Sequence, residues 1–252
     1  MSEKPTHTVS WFSAGVSSAV ATRLAIDEID EIIYIHIDDQ HPDTMRFVKD
    51  CEKWFGKPIK IMQSYHKSVE NVLYSSKYIN GPYGAPCTVI LKKRVRKEWE
   101  IENRDKYNIR YVWGMDAGER RRAKRLLKTM AGFGHLFPLI DRHIHKAEAH
   151  EILKASGIAR PAMYDLGYRN NNCVGCLKGG KGYWNKIRVD FPDVFLARAK
   201  LEREIGASCI NGTYLDELDP MAGRNDGPIV DDCGIMCELQ ALGYVDSEEV
   251  AG

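Results

Sequence analysis

The order of predicted strands and helices most constrains the fold of this chain. Apolar, β-branched and aromatic runs predict strands at residues 8–12, 31–37, 59–62, 109–113 and 136–139. Segments with helical periodicity separate or follow them, at 17–29, 43–55, 88–105, 117–130 and 192–205. Because strands alternate with helices, we predict an α/β fold with a parallel sheet covered by helices on both faces. Such sheets bind ligands beyond the carboxyl ends of their strands.

The sequence changes character near residue 160. We predict a nucleotide-binding α/β domain over 1–160 and an irregular, cysteine-bearing region over 161–252. Residues 213–252 form an acidic tail, which leaves residues 1–212 at a net charge of about +10 although the whole chain is +1. Basic runs at 92–97 and 120–128 indicate either a polyanion partner, such as nucleic acid or a polyphosphate nucleotide, or solvated helix faces.

Composition excludes several classes of protein. The chain has 252 residues, of which 44% are hydrophobic and 28% charged, as in globular proteins. Its longest apolar runs are far shorter than the ~20 residues that span a bilayer, so we expect no membrane partner. Residues 1–10 are polar and resemble no targeting segment, and we expect a cytoplasmic protein. The seven cysteines then indicate metal or thiol chemistry rather than disulfides.

A serine-rich turn lies between the first predicted strand and the first predicted helix. We call residues 13–18, with sequence SAGVSS, the serine loop. Its small residues would let a phosphate approach the N–H groups at the helix start, with Ser13, Gly15, Ser17 and Ser18 as candidate contacts. A capped helix is the plainer alternative. The loop lacks both the Walker lysine and a G-x-G-x-x-G pattern.

Paired cysteines form a second motif. Cys173 and Cys176 make a C-x-x-C, and Cys233 and Cys237 make a pair four residues apart. Each pair can bring two thiolates to one metal centre. Cys87, in a Gly/Pro-rich loop, is a fifth candidate metal ligand. The remaining two cysteines, Cys51 and Cys209, follow no pattern, and we interpret them as small core residues.

Three segments together resemble the phosphoadenosine phosphosulfate (PAPS) reductase branch of the adenine nucleotide alpha hydrolase-like superfamily. They are the serine loop, residues 35–44 (IHIDDQHPDT) and residues 114–123 (GMDAGERRRA), and the resemblance extends over about 8–190. Ser17 stands where the ATP pyrophosphatases of this superfamily usually have Asp. The resemblance implies an adenine nucleotide site at the serine loop, with further contacts from His41, Gly114, Glu119 and Arg122.

The resemblance also implies a [4Fe–4S] cluster. Family members with a cluster use a Cys-Cys pair and a C-x-x-C, but here Pro86 replaces one member of the pair. The ligands would then be Cys87, Cys173 and Cys176 with one of Cys209, Cys233 or Cys237, or else the two later pairs alone. Zinc is the alternative metal, because it binds the same thiolates.

The C-terminal sequence leaves the reaction open. Residues 232–236 (DCGIM) resemble the family's E-C-G-[LI]-H, whose Cys is the nucleophile, but Met236 replaces the His. Catalytic roles are predicted for Cys87 and Cys233, and ligation is the favoured role of Cys233. One expected reaction splits ATP, with possible Mg²⁺, so that sulfur replaces an oxygen on a nucleic-acid or nucleotide acceptor. The other transfers the PAPS sulfonate to a cysteine and releases sulfite, and either would need a sulfur or electron donor protein.

A non-catalytic alternative is a zinc-stapled protein that binds nucleic acid or another partner through its basic helices. Residues 179–184 (GGKGYW) also allow either a binding role or a structural role. Their rings could stack on an adenine or an extruded base, or they could form a tight turn with packed aromatics.

Overall fold

A five-stranded parallel sheet forms the framework of the protein. The computed structural model describes residues 4–79 and 84–224. Its strands are β1 (Thr6–Trp11), β2 (Glu31–His36), β3 (Ile59–Gln63), β4 (Asn108–Val112) and β5 (Gly134–Leu136). They pair in the order β3-β2-β1-β4-β5, and every pair is parallel. The predicted α/β fold is confirmed.

Ten α-helices accompany the strands in the described part of the chain. They are α1 (Val16–Leu24), α2 (Asp43–Phe55), α3 (Val69–Ser76), α4 (Arg94–Asn103), α5 (Arg120–Thr129), α6 (Pro138–Asp141), α7 (Lys146–Ala155), α8 (Ala162–Asp165), α9 (Lys181–Asp190) and α10 (Pro192–Ile205). A π-helical segment, Thr88–Lys93, precedes α4. Short 3-10 turns cover Ile26–Glu28, Ala117–Glu119 and Leu215–Glu217.

Two sequence-based boundaries were wrong. The last strand was predicted at 136–139, but β5 ends at Leu136 and Pro138 opens α6. Proline has no N–H for a strand ladder, and its fixed φ suits the first helical position. The first helix, predicted to run to residue 29, ends at Leu24 and is followed by a 3-10 turn.

The chain divides into two compact units, each made of several segments. Unit 1 comprises Met1–His36, Pro42–Gln63 and Val95–Asp165. Unit 2 comprises Ile37–His41, Ser64–Arg94 and Leu166–Gly252. The single domain boundary expected near residue 160 stays a prediction.

The topology of unit 1 defines where a ligand would bind. From β1 the chain builds β2 and β3 on one side and later adds β4 and β5 on the other side. The order therefore reverses at β1, and the carboxyl ends of β1 and β4 lie side by side. Open α/β sheets bind ligands at such a switch point. Buried residues on both sheet faces, such as the successive β2 residues Ile32 and Ile33, explain the nearly continuous apolar strands.

Unit 2 has a separate aromatic core. Trp184 of α9 is fully buried and packs near Phe195 of α10, with a ring-centroid distance of 6.4 Å. Tyr183 packs edge-on against Tyr168 at 5.8 Å. Among the residues that the structure describes, no helix is long and apolar enough to span a membrane.

Candidate nucleotide and thiol sites

The serine loop is closed by its own hydroxyl groups. Ser18 donates a hydrogen bond to the Gly15 carbonyl at 2.9 Å, and Ser13 donates to the Ser18 hydroxyl at 2.9 Å. Ser18 is buried, Ser17 is half-buried and Ser13 is exposed. Ser18 therefore fixes the shape of the loop, whereas the hydroxyls of Ser13 and Ser17 remain reachable by a ligand.

The backbone of the loop adopts an unusual conformation. Ala14 has a φ of 57° although it is not glycine, and its side chain is fully buried. A left-handed residue of this kind costs of order 1 kcal/mol or more and persists only where its surroundings enforce it. Gly15 then caps α1 in an extended conformation. The strand, the strained turn and the helix start are thus held as one rigid piece.

Gly114 lies against this loop at the end of β4. A Cβ atom at residue 114 would stand 2.6 Å from the Ser18 Cα and 2.9 Å from the Ser18 backbone nitrogen. Only glycine permits such a close approach between the chain after β4 and the first turn of α1. The structure therefore brings Gly114 together with Gly15 and Ser18, at the switch point of the sheet.

Tyr164 and His150 support the same loop and were not predicted from sequence. The Val16 N–H donates to the Tyr164 hydroxyl at 3.3 Å. The ring of His150 packs edge-on against Tyr164, with centroids 4.8 Å apart. Burial lowers the pKa of His150, and the nearby cations Arg160 and Lys146 lower it further. No motif joins residues this far apart in the chain, so the sequence held no signal for them.

Glu119 and Arg122 form an ion pair at the start of α5. The Glu119 carboxylate accepts from Arg122 and from the Asp116 N–H at 3.0 Å. Arg122 is 5% exposed, and burial raises the pKa of Glu119. Arg121 is exposed, and Arg120 bonds the His143 ring. The basic run therefore splits into one buried cation and a solvated face that includes Lys124 and Lys128.

His41 belongs to unit 2, whereas the serine loop belongs to unit 1. Its ring lies edge-on to Phe191, with centroids 6.0 Å apart. A contact between His41 and a nucleotide stays a prediction.

Three of the predicted metal-binding cysteines meet at one small cavity in unit 2. We call it the thiol cavity; its volume is ≈ 20 Å³, room for about one water molecule. Its polar lining residues are Cys87, Cys173, Cys176, Thr88, Lys92 and Asn172, and its apolar ones are Ile37, Val69, Leu91 and Leu177. The structure thus joins Cys87 to a C-x-x-C that lies far along the chain.

The C-x-x-C segment is held in a defined turn. Cys173 forms an antiparallel bridge with Gln40, and the Val174 N–H donates to the Asp39 carbonyl at 2.8 Å. The Tyr183 hydroxyl accepts from the Cys176 N–H at 2.8 Å and donates to the Cys173 carbonyl. Gly175, with a φ of +71°, makes the turn between the two thiols. Both sulfur atoms are therefore carried on a rigid backbone.

Two buried donors in the thiol cavity lack partners. The Thr88 hydroxyl and the Asn172 Nδ2 group are buried and have no hydrogen-bond partner among the described residues. Thr88 begins the π-helical segment, immediately after Cys87. Buried polar groups are normally satisfied, so these two donors are available to an acceptor placed at the cavity. Cluster sulfur atoms and thiolates are acceptors of this kind.

Within the described residues, no three Cys, His, Asp or Glu side chains stand close enough together to hold one metal ion, and a cluster ligated by these thiols stays a prediction. Cys51 lies buried in unit 1, and the predicted ligands Cys233 and Cys237 lie outside the described residues.

The GGKGYW segment packs inward. Tyr183 and Trp184 are 5% and 0% exposed, and Tyr183 supports the C-x-x-C turn. A Cβ at Gly179 would stand 1.8 Å from the Tyr183 ring. These contacts match the packed-turn interpretation, because buried rings have no face for a base.

Comparison with known proteins identifies the family. The profile of the phosphoadenosine phosphosulfate reductase domain matches residues 7–179. A crystal structure of phosphoadenylyl-sulfate (PAPS) reductase from Candida auris, as a phosphate complex, is 13% identical with a TM-score of 0.47; the match covers 70% of this chain and 84% of that one. No curated protein matches significantly. The domain match spans more than half of the sequence, so the chain belongs to the PAPS reductase-like family of nucleotide-binding enzymes in sulfur metabolism.

Proposed function

We propose that this protein is an adenine-nucleotide-dependent sulfur enzyme with a [4Fe–4S] cluster that is ligated in part by the cysteines lining its thiol cavity. The observation that carries the proposal is the meeting of Cys87, Cys173 and Cys176 at one cavity with two unsatisfied buried donors. Membership of the PAPS reductase-like family supports an adenine nucleotide as the substrate. The serine loop, closed by Ser18 and backed by Gly114, supports the place where its phosphates would bind.

The serine loop would bind the phosphate or sulfo-phosphate end of the nucleotide. N–H groups of the first turn of α1 and the positive end of its dipole favour an anion. The reachable hydroxyls of Ser13 and Ser17 would add donors. Because the loop is already held by Ser18, Tyr164 and Gly114, binding would need little reorganisation.

The residues of the thiol cavity would hold and tune the cluster. Cys87, Cys173 and Cys176 supply three thiolates, and Lys92 brings a positive charge to the same lining. Thr88 and Asn172 would donate hydrogen bonds to cluster sulfur, which stabilises the reduced form. When bound, such a cluster supplies one-electron transfer. The apolar lining residues would limit the access of water to it.

PAPS is the first substrate to test, because the family match favours it. In that reaction a cysteine attacks the sulfonate sulfur, and the bisphosphate nucleotide leaves. A donor thiol or reductant then releases sulfite from the cysteine. Cys233 is the proposed nucleophile. ATP, with Mg²⁺, is the second candidate, because Met236 stands in the sequence where the family's nucleophile motif has His.

The test uses full-length protein purified without oxygen. Iron, acid-labile sulfide and zinc are measured per chain, and the protein is then incubated with PAPS or with ATP while sulfite and pyrophosphate are followed. We expect iron and sulfide in equal amounts and product from one nucleotide. A colourless protein with one zinc and no product from either nucleotide would support the zinc-stapled binding protein instead. Ser17→Ala should weaken nucleotide binding in calorimetry, whereas Ser156→Ala, at the exposed end of α7, serves as the matched control.

A further inference from the structure

We infer that Asp43 and Arg46 of α2 are positioning residues for the nucleotide site and act on the serine loop through Tyr164. This rests on the proposed function, which places the phosphates at that loop. We call Asp43 and Arg46 the α2 clamp. The clamp, Tyr164 and the serine loop all belong to unit 1. Asp43 also lies in the segment 35–44, one of the three that carry the family resemblance.

Arg46 holds the connection between α7 and α8. Residues 158–161 of this connection form neither helix nor strand, so no ladder of backbone hydrogen bonds satisfies their carbonyl groups. The two terminal nitrogens of the Arg46 guanidinium donate to the carbonyls of Ala159 and Arg160, each at 3.0 Å. One side chain of α2 therefore fixes two successive peptide groups of the connection.

Asp43 caps the start of α8 from a different helix. Its Oδ2 atom accepts from the Ala162 N–H at 2.9 Å. Because α8 has only four residues, it depends on contacts outside itself, as an isolated helix of that length is not stable in water. The same carboxylate binds the Arg46 guanidinium through both oxygens, at 2.6 and 2.8 Å, and Asp50 adds a contact at 2.9 Å. The guanidinium is thus held in one orientation while it holds the connection.

Tyr164 transmits the position of α8 to the serine loop. It is 9% exposed, and its hydroxyl accepts from the Val16 N–H at 3.3 Å. Val16 opens α1, where the N–H groups have no partner within the helix. A Cβ at Gly15 would lie 3.4 Å from the same hydroxyl. A shift of α8 would therefore disturb the turn whose N–H groups are proposed to bind the phosphates.

The exposure of the α2 clamp separates positioning from stability. The side chains of Asp43 and Arg46 are 24% and 37% exposed, and ion pairs with such exposure contribute little to the free energy of unfolding. Loss of the clamp should leave unit 1 folded, while α8 and Tyr164 become free to shift. Nucleotide affinity should therefore change more than stability.

The experiment is a double-mutant cycle of Arg46→Ala and Tyr164→Phe in the full-length chain, with PAPS and ATP affinity measured by calorimetry. Each single variant should bind about three- to tenfold more weakly, the factor that one hydrogen bond contributes. The double variant should bind about as well as the weaker single variant, because both changes break one chain of contacts. Lys49→Ala, which removes an exposed cation from the same helix, is the matched control and should bind like the wild type. Wild-type affinity in Arg46→Ala, or single factors that multiply in the double variant, would overturn the inference.

A second measurement needs no nucleotide. Amide hydrogen exchange at Val16 should be faster in Arg46→Ala and Tyr164→Phe than in the wild type, and unchanged in Lys49→Ala. Asp43→Asn keeps the size of the side chain but loses the ion pair, and it takes the place of Arg46→Ala if that variant does not fold. Wild-type exchange at Val16 in the clamp variants would refute the link from α2 to the serine loop. If the wild-type chain binds neither PAPS nor ATP, the proposed function fails, and exchange at Val16 alone then decides whether the clamp fixes the loop.

Discussion

Replacing Gly114 with Ala should disturb both stability and nucleotide binding through one contact. The new Cβ would stand 2.6 Å from the Ser18 Cα, whereas carbon atoms in contact prefer about 3.5 Å or more. The chain after β4 and the first turn of α1 must therefore separate by about 0.9 Å. Backbone atoms cannot rotate away from the clash as a side chain could. The displacement must therefore move the serine loop itself.

The expected loss of stability follows from two opposing effects. Overpacking of this kind costs about 1–3 kcal/mol. A Gly→Ala change also restricts the unfolded chain, which offsets roughly 0.4–1 kcal/mol. We expect a net loss of about 1–2 kcal/mol in the free energy of unfolding. Gly132→Ala is the matched control, since a Cβ there meets nothing within 4 Å, and its stability should be unchanged or slightly higher.

Two assays on the same preparations test this reasoning. Urea titration gives the unfolding free energy, and calorimetry with PAPS and with ATP gives nucleotide affinity. At a temperature where both variants are folded, Gly114→Ala should bind at least about tenfold more weakly, because 1.4 kcal/mol of lost binding energy corresponds to that factor. If Gly114→Ala matches Gly132→Ala in both assays, the close approach at Ser18 does not shape the site.

Three further perturbations test other contacts. Arg122→Ala should lower the unfolding free energy by about 2 kcal/mol in urea titrations, which is less than for a fully buried ion pair because the Glu119 side chain is 24% exposed. Arg121→Ala, at an exposed residue, should change it by under about 0.5 kcal/mol. Equal losses in the two variants would contradict the ion pair between Arg122 and Glu119. Burial lowers the folded-state pKa of His150 below its ordinary 6.5, so the stability that neutral His150 contributes above pH 6.5 should be lost as the pH falls through the folded pKa. His150→Phe should lose less stability over the same pH range in thermal melts. Superimposable pH profiles of the two proteins would show that His150 does not cause the pH dependence. Thr88→Val should lower the midpoint potential of the proposed cluster in a spectroelectrochemical titration, because it removes the hydrogen bond that Thr88 would donate to cluster sulfur. An unchanged potential would show that the Thr88 hydroxyl does not reach the cluster.

The sheet was predictable from sequence because each of its strands carries a local signal. Runs such as EIIYIHI are buried on both faces, and burial on both faces demands continuous apolar residues. The serine loop was also visible, since small residues between a strand and a helix have a recognised use. The helices α3, α7, α8 and α9 were not predicted. Among them, α8 has only four residues and is too short for a helical period to show.

The supports of the serine loop could not be predicted. Val16 and Tyr164 are joined across 148 positions, and that hydrogen bond depends on how α8 returns to the sheet. The strain at Ala14 is equally invisible, because alanine gives no hint of a positive φ. Gly114 was predicted to contact the nucleotide through family resemblance. Only the structure shows why glycine is needed at this position: a side chain would clash with the backbone of Ser18.

The thiol cavity shows why the set of cysteines that lie together could be predicted only in part from the sequence. The C-x-x-C pair is a local signal, whereas no spacing rule connects it to Cys87. Unit 2 draws on three separate segments, and the cavity lining uses one residue or more from each: Ile37 from the first, Cys87 from the second and Cys173 from the third. Ligands that tertiary folding brings together leave no period in the sequence. Cys87 comes from the second of these segments and Cys173 and Cys176 from the third. The proposed cluster would therefore bind only after those two segments have packed, and it would then stabilise unit 2 by mass action.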